Sequence, residues 1–265
     1  MAAWDLNLPK GVTDLSQEAY RLHMLILGIC VVIAVAVFGA MIYSLISFRK
    51  SQGATPDVDM THSTKAEIVW TVIPIIILVV MAIPAARALI RIEDTRNSQL
   101  TIRVTGYQWK WHYDYLEKDV QFFSTLSRDS NVARQKDSGI DPNSVEHYLL
   151  SVDNPMVVPV NTKVRVLVTA GDVLHAWWVP ALGIKKDAIP GFVNEMWFSA
   201  KEVGTFRGQC AELCGRDHGF MPIVVEVKSE ADYQAWLQTK QKPAAGEAPA
   251  AAPAEAAPAA PVAAP

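Results

Sequence analysis

Residues 210–221 have the sequence CAELCGRDHGFM, which concentrates potential metal ligands within twelve positions. A second imidazole, His175, lies upstream in the sequence DVLHAW, where a strand is predicted to end. Thiols and thioethers are soft ligands and imidazole is a borderline one, so the set favours a soft or borderline metal. Five donors are too many for one small ion. They are two thiols, two imidazoles and one thioether: Cys210, Cys214, His175, His218 and Met221.

Three interpretations of this stretch compete. A disulfide between Cys210 and Cys214 is sterically awkward at this separation and leaves the other donors without a role. A structural zinc ion could take two cysteines and two histidines as ligands, but thioethers are not among the usual ligands of zinc. Copper binds thiolate, imidazole and a weak thioether together. Two thiolates could bridge two copper ions, with His175 and His218 as terminal ligands and Met221 as a weak one, so the stretch favours a binuclear electron-transfer site.

Two features inflate the hydrophobic fraction of this 265-residue chain, which is 51%. One is a pair of long apolar runs near the N-terminus. The other is the tail, residues 243–265, in which 19 of 23 residues are alanine or proline. Such a tail cannot bury a core, and we expect it to be disordered. The net charge of -3 is too small to indicate nucleic-acid binding, and no basic patch is interleaved with aromatic residues.

The two apolar runs predict a transmembrane helical hairpin. Residues 24–48 contain no charged side chain, and residues 68–86 form a second uncharged run between Glu67 and Arg87. Each run is long enough to cross a bilayer, whereas core helices of soluble proteins rarely extend so far without charge. Basic residues flank the spans too evenly to orient the hairpin. Cys30 lies inside the first run and is expected to be an inert thiol.

After residue 97 the pattern changes to the period of β-strands. Apolar or aromatic side chains occupy every second position over residues 100–104 and again over residues 107–115, and residues 164–168 and 223–227 repeat the alternation. Turn-forming clusters separate these segments and no helical stretch is predicted between them, so we expect an antiparallel sandwich or barrel. Ser229 and Asp232 have the spacing of a capping box that opens one last short helix.

With the hairpin, the β domain and the metal-binding stretch in place, the chain resembles subunit II of a haem-copper cytochrome c oxidase. The resemblance rests on EIVWTVIP at residues 67–74, GYQWKW at 106–111, and the segments 172–191 and 208–222 around the five donors. It implies a membrane-anchored all-β protein, with an N-terminal two-helix transmembrane hairpin plus a cupredoxin-like Greek-key β-barrel that holds the dinuclear copper centre CuA. It also implies two spans in the bacterial inner (plasma) membrane, with the copper domain on the periplasmic side.

We therefore expect five segments along the chain. The first shows no signal-peptide pattern and is expected to lie at a membrane surface. The segments are an N-terminal segment (1–21), the transmembrane helical hairpin (22–92), the cupredoxin-like CuA domain (97–228), a C-terminal helix (229–242) and the disordered Ala/Pro tail (243–265).

The resemblance also implies the metal ligands. The dinuclear copper would be held by the side chains of His175, Cys210, Cys214, His218 and Met221, and by the backbone carbonyl of Glu212. The carboxylate of Glu212 would reach a Mg²⁺ or Mn²⁺ ion at the junction with subunit I, which suits a hard ion that prefers oxygen. Without the resemblance, Glu212 would be read as an ordinary solvated loop carboxylate.

Two further residues take roles from the resemblance. Trp109 corresponds to the exposed tryptophan through which the family accepts electrons from cytochrome c, although the alternation alone favours a packed core or edge aromatic. Glu67, at the start of the second span, corresponds to the carboxylate at the entrance of the proton path into subunit I. A charge at a helix end in the headgroup region is unremarkable by itself.

Three acidic residues, Asp114, Asp153 and Asp172, fall where the family steers the basic face of cytochrome c. The segment 112–160 supports this with eight acidic and four basic side chains. Such a patch raises the encounter rate and makes it sensitive to salt. Each of the three could equally be an ordinary solvated carboxylate.

The implied function is that of an electron-transfer subunit of cytochrome c oxidase, without the O₂-reducing site. Its partners would be subunit I with haem and CuB, subunit III, cytochrome c as the electron donor, and the lipid bilayer. The whole complex would reduce O₂ to water and pump protons. A quinol oxidase subunit II lacks the copper ligands, so it fits poorly. An electron-input subunit of a nitric-oxide-reducing haem-copper complex and a membrane-anchored copper carrier stay open.

Three positions depart from the family pattern. Lys110 stands where an aromatic residue is common, Tyr107 where histidine is frequent, and Phe192 where a basic residue is frequent. Lys110 adds positive charge beside Trp109, so this departure would affect how cytochrome c docks. The copper ligands are unaffected.

Overall fold

The structure is a computed structural model that describes residues 6–55 and 58–241. The expected Ala/Pro tail and the first five residues of the N-terminal segment lie outside the described residues.

Two long helices form the N-terminal part, α1 (Asp14–Ser47) and α2 (Thr64–Ile92). Both are long and apolar enough to cross a membrane, and their most apolar windows are not buried by the rest of the chain. α1 begins ahead of the apolar run because Thr13 and Ser16 form a capping box, in which each side chain accepts a hydrogen bond from the other's backbone N–H. The two helices contact each other, as expected for a hairpin.

In the described residues of the C-terminal part, ten strands form two five-stranded sheets. One sheet has the strand order β3-β2-β1-β5-β8 and the other has the order β4-β10-β9-β6-β7. The strands are β1 (Leu100–Tyr107), β2 (Lys110–Tyr115), β3 (Val120–Ser124), β4 (Met156–Pro159), β5 (Val164–Ala170), β6 (His175–Val179), β7 (Ile184–Ala188), β8 (Asn194–Phe198), β9 (Gly204–Cys210) and β10 (Pro222–Lys228).

The core lies between the two sheets and follows the predicted alternation. Trp111, Tyr113 and Tyr115 are fully buried at every second position of β2, and Trp177 and Phe198 meet them from other strands. Burial of large aromatic side chains is the main favourable contribution to such a fold.

The expected antiparallel arrangement is wrong for two strand pairs. β1 pairs with β5 in parallel, and β10 pairs with β4 in parallel. A short hairpin loop forces antiparallel pairing only between consecutive strands. The members of both parallel pairs are far apart in sequence, so connection length leaves their direction free.

Two further features were not predicted from the sequence. The run from residue 100 to residue 115 is a hairpin, in which Gln108 and Trp109 form the turn between β1 and β2. The segment between β3 and β4 contains a short helix, α3 (Arg128–Ala133), where no helix was expected. A helix of six residues is too short for hydrophobic periodicity to reveal it.

The last helix, α4 (Glu230–Gln241), starts at the predicted place. The hydroxyl of Ser229 accepts a hydrogen bond from the backbone N–H of Asp232 at 3.2 Å, which is the expected capping contact.

The ends of the apolar helices are attached to the β domain. Ahead of α1, the Thr13 hydroxyl donates to the Leu182 carbonyl at 2.8 Å. After α2, Lys163 donates to the carbonyls of Asp94 and Arg96, both at 2.7 Å. These contacts fix the β domain beside the ends of the two helices.

Candidate metal centre

The five potential ligands converge at one end of the β domain. The sulfur atoms of Cys210 and Cys214 are 3.8 Å apart, and both thiols are free. Nδ1 of His175 lies 3.9 Å from the Cys210 sulfur, and Nδ1 of His218 lies 3.5 Å from the Cys214 sulfur. The Met221 sulfur is 3.6 Å from that of Cys214. The sequence spacing and the fold thus bring all five donor atoms to one place.

Two of the donors are presented by neighbouring strands. His175 begins β6 and Cys210 ends β9, and these strands are antiparallel neighbours. The His175 ring packs against the backbone of Gly106, where an added Cβ would lie 2.8 Å from Cδ2 of the ring. Glycine at position 106 is therefore required for the close approach of the imidazole.

His175 is oriented by a carboxylate. Nε2 of His175 lies 3.0 Å from Asp172, and Asp172 also accepts hydrogen bonds from the backbone N–H groups of Gln108 and Val173. Burial alone would lower the pKa of His175, but its contacts with Cys210 and Asp172 outweigh burial and raise it. With Nε2 committed to Asp172, Nδ1 is the nitrogen that faces the thiols, as in metal sites where a carboxylate fixes the imidazole.

The other three donors come from the segment after β9. Cys214 and Met221 are buried, whereas His218 opens a 3-10 turn (His218–Phe220) and is partly exposed. The carbonyl of Met221 accepts a hydrogen bond from the indole of Trp111 at 3.3 Å. Trp111 therefore fixes the point at which the segment joins β10.

The two thiols differ in acidity. Burial alone would raise the pKa of Cys210, but the contact with His175 and a backbone hydrogen bond outweigh it and lower the pKa to about 7. Burial and the neighbouring Cys210 raise the pKa of Cys214 to about 12. The close approach of the two thiols thus favours ionisation of one over the other, and metal binding to such a pair releases protons.

Two family models match the chain over complementary regions. Residues 100–228 match the periplasmic domain of cytochrome c oxidase subunit II, and residues 1–87 match the transmembrane domain of the same subunit. The chain belongs to the cytochrome c oxidase subunit II family. The resemblance inferred from the motifs is confirmed, and so is the fold class of two apolar N-terminal helices followed by a cupredoxin-like β domain.

Named relatives extend over most of the chain. A Rickettsia bellii protein, "Probable cytochrome c oxidase subunit 2", is 40% identical over 243 residues, which are 91% of this chain and 86% of the relative. Cytochrome c oxidase subunit 2 of Cereibacter sphaeroides is 38% identical over 236 residues, covering 84% of this chain and 77% of the relative. The crystal structure of the periplasmic domain of subunit II (CoxB) of Bradyrhizobium japonicum is 43% identical and has a TM-score of 0.49, covering 56% of this chain and 96% of that one.

The donor set fits the metal of this family. Thiolate, imidazole and thioether are the ligands that copper takes together, and the donor atoms of His175, Cys210 and Cys214 all lie within 4.8 Å of one another. Family membership and this group together indicate a copper centre.

Trp109 lies directly over the metal-binding segment. Its indole N–H donates to the carbonyl of Cys214 at 3.2 Å, and the Gln108 side chain donates to the same oxygen at 3.0 Å. Gly215 has a φ of +114°, and an added Cβ there would lie 3.2 Å from the Trp109 ring. The Trp109 ring is partly exposed and also packs against the core.

Positive charge near Trp109 comes from an unexpected residue. The guanidinium of Arg216 lies 5.4 Å from the centroid of the Trp109 ring. Lys110, the departure noted in the sequence, places its ammonium 4.3 Å from the centroid of Phe123 instead. Of the other departures, Tyr107 contacts Phe123 with ring centroids 5.9 Å apart, and Phe192 is exposed.

Glu212 and Glu67 are both exposed. The carbonyl of Glu212 lies 3.4 Å from the Cys210 sulfur, so this oxygen faces the donor cluster. Glu67 lies in the first turn of α2, at the end remote from the β domain. A helix of 29 residues is roughly 40 Å long, which separates Glu67 from the metal-binding end of the molecule.

The three candidate docking acids all have partners within the chain. Asp114 pairs with Arg103 at 2.6 Å. Asp153 accepts hydrogen bonds from the backbone and hydroxyl of Thr125 at 2.7 and 2.9 Å. Asp172 holds His175 and the turn that contains Gln108. These contacts are compatible with a charged surface and give the acids structural roles that the sequence did not predict.

Proposed function

We propose that this chain is the electron-accepting subunit of a cytochrome c oxidase. It takes electrons from cytochrome c and passes them to haem in subunit I, where O₂ is reduced to water and protons are pumped. The observation that carries the proposal is the convergence of five soft or borderline donors beneath a partly exposed tryptophan. A copper carrier has no need for such an aromatic residue bonded to the metal-binding segment.

The copper would be held as a dinuclear CuA centre by His175, Cys210, Cys214, His218 and Met221, with the carbonyl of Glu212. When bound, it supplies a one-electron redox couple at this position. The chain's contribution is to keep the donors in place, because a site that changes little on reduction transfers electrons at small driving force. The strand positions of His175 and Cys210 and the carboxylate behind His175 support this role.

Trp109 connects the surface to the donors. Its indole N–H is bonded to the carbonyl of Cys214, one of the two thiol residues, so one hydrogen bond separates the ring from the metal-binding segment. We propose that Trp109 accepts electrons from cytochrome c. Asp114, Asp153 and Asp172 would contribute negative electrostatic potential around it.

Other assignments follow from family membership. The Glu212 carboxylate would reach a Mg²⁺ or Mn²⁺ ion at the boundary with subunit I, and Glu67 would stand at the entrance of the proton path. The hairpin (22–92) would anchor the CuA domain (97–228) in the bacterial inner membrane, with the copper on the periplasmic side. Subunits I and III would be its neighbours in the membrane.

The proposal is tested by electron transfer from reduced cytochrome c to the copper-loaded chain in detergent, followed by stopped-flow absorbance. We expect oxidation of cytochrome c within milliseconds to seconds. Trp109→Phe removes the indole N–H that is bonded to the Cys214 carbonyl, so its rate should be at least about tenfold lower, which corresponds to about 1.4 kcal/mol in the barrier. Tyr107→Phe is the matched aromatic control. A chain that binds copper but never oxidises cytochrome c would contradict the proposal.

A further inference from the structure

A segment between β3 and β4 is anchored beside the metal-binding segment. Its two ends are held together, since the backbone N–H of Ser127 donates to the carbonyl of Ser151 at 2.9 Å. Inside the segment, the buried hydroxyl of Ser130 in α3 accepts a hydrogen bond from the backbone of Leu149 at 3.1 Å. α3 is therefore fixed to the rest of the segment at both its base and its middle.

The residue that follows α3, Arg134, reaches from this segment to the 3-10 turn that carries His218. Its Nη1 lies 3.5 Å from a carboxylate oxygen of Asp217, and its guanidinium lies 4.3 Å from the ring centroid of Phe220. Nε of Arg134 donates to Asn131 at 2.8 Å, which fixes the orientation of the planar group. The two contacts with the turn fall on either side of His218.

Among the described residues, few other contacts hold the turn. Its backbone hydrogen bonds are those of His218 to the Gly215 carbonyl at 3.3 Å and of Phe220 to the Asp217 carbonyl at 2.9 Å. Gly219 has open space around it, so it does not restrain the turn. A guanidinium that pairs with a carboxylate and stacks on an aromatic ring can supply the missing restraint.

We propose that Arg134 is a positioning residue, which holds the turn His218–Phe220 so that the His218 imidazole faces Cys214. The copper part of this inference rests on the function proposed above. The positioning part concerns the metal-free chain, because every contact involved is made by the protein alone.

The alternative is that Arg134 and Asp217 form an ordinary surface ion pair without a positioning role, since exposed ion pairs contribute little to stability. Burial argues against it, because the Arg134 and Asp217 side chains are only 23% and 17% exposed. Arg216 provides the matched control. It contacts the same carboxylate of Asp217 at the same 3.5 Å, but its side chain is 80% exposed.

The first test uses hydrogen exchange of the metal-free chain in detergent. In Arg134→Ala the amides of residues 218–220 should exchange about tenfold faster, whereas Arg216→Ala should stay within about twofold of the parent. Arg134→Lys, which keeps the charge but not the planar group, should fall between them. Thermal unfolding of each variant separates a local effect from loss of the whole fold.

The second test uses the copper-loaded chain. Release of copper to a competing chelator should be about tenfold faster in Arg134→Ala than in Arg216→Ala, and the copper hyperfine splitting should change only in the former. Equal exchange and equal release in the two alanine variants would overturn the inference. So would a loss of the whole fold in Arg134→Ala that Arg134→Lys does not rescue. If the parent takes up no copper, the proposed function fails, while the exchange result still decides the positioning role.

Discussion

The two halves of the metal centre are built differently. His175 and Cys210 are placed by neighbouring strands, and a carboxylate orients His175 from behind. Cys214, His218 and Met221 come from one connecting segment, whose shape depends on side-chain contacts with Trp109, Trp111 and Arg134. The strand-held half is fixed by main-chain pairing, whereas the segment-held half depends on these side-chain contacts. The comparison predicts that equivalent changes in the two halves have unequal effects.

The largest effect is expected from replacing each thiol in turn. Cys214→Ser removes one of the two thiols that would hold the dinuclear centre but leaves the strand-held His175 and Cys210, so we expect the dinuclear signal to disappear while one copper stays bound. Cys210→Ser leaves His175 as the one strand-held donor, beside the donors of the connecting segment, and we expect copper to be lost. Copper content and electron paramagnetic resonance of both variants measure this. Retention of copper in Cys210→Ser but not in Cys214→Ser would reverse the comparison.

A smaller effect is expected when the orientation of His175 is weakened. Asp172→Asn removes the charge behind Nε2, and loss of such a partner typically lowers metal affinity by about 10-fold to 100-fold. Competition titration with a copper chelator measures the affinity. Asp114→Asn, which affects an acid paired with Arg103 on β1, is the control and should leave the affinity unchanged. Equal affinities in the two variants would show that Asp172 does not support the site.

Glycine substitutions compare the space available in the two halves. At Gly106 an added Cβ would lie 2.8 Å from the His175 ring, whereas nothing lies within 4 Å of an added Cβ at Gly219. Gly106→Ala should lower the free energy of unfolding by about 1–3 kcal/mol, because the ring or the strand must shift. Gly219→Ala should not change it. Chemical denaturation of the metal-free chain measures the free energy of unfolding of both variants. Equal values would mean that the strands around Gly106 shift at little cost.

The smallest effect is expected at the weak donor. Met221→Leu replaces the thioether by a hydrocarbon of similar volume, so the buried position stays filled. We expect copper to stay bound and the reduction potential to shift, because an axial thioether tunes the potential of copper sites. Redox titration measures the shift. Loss of copper would mean that Met221 is a principal ligand.

Local sequence determined which parts of this site could be predicted. The four donors between residues 210 and 221 are close in sequence, so their types and spacing indicated a soft metal directly. His175 could be added because the motifs resemble a known family. The predicted strand end at this position is wrong, since His175 begins β6 and β5 ends at Ala170. The two transmembrane runs and the alternating strands were visible for the same reason, since periodicity is a local property.

Contacts between distant residues escaped prediction. Arg134 lies 83 positions before Asp217, and no pattern in the sequence links them. Asp172 was interpreted as a docking acid, and its contact with His175 depends on the turn that the chain makes between β5 and β6. The parallel pairing of β1 with β5 was missed because connection length does not determine it.

The most direct test of the central claim is the electron paramagnetic resonance spectrum of the full chain, loaded with copper in detergent. If the strand-held and segment-held halves together hold one dinuclear centre, the spectrum should show a seven-line hyperfine pattern from two equivalent copper ions. A four-line pattern from a single ion, or no uptake of copper, would contradict the account.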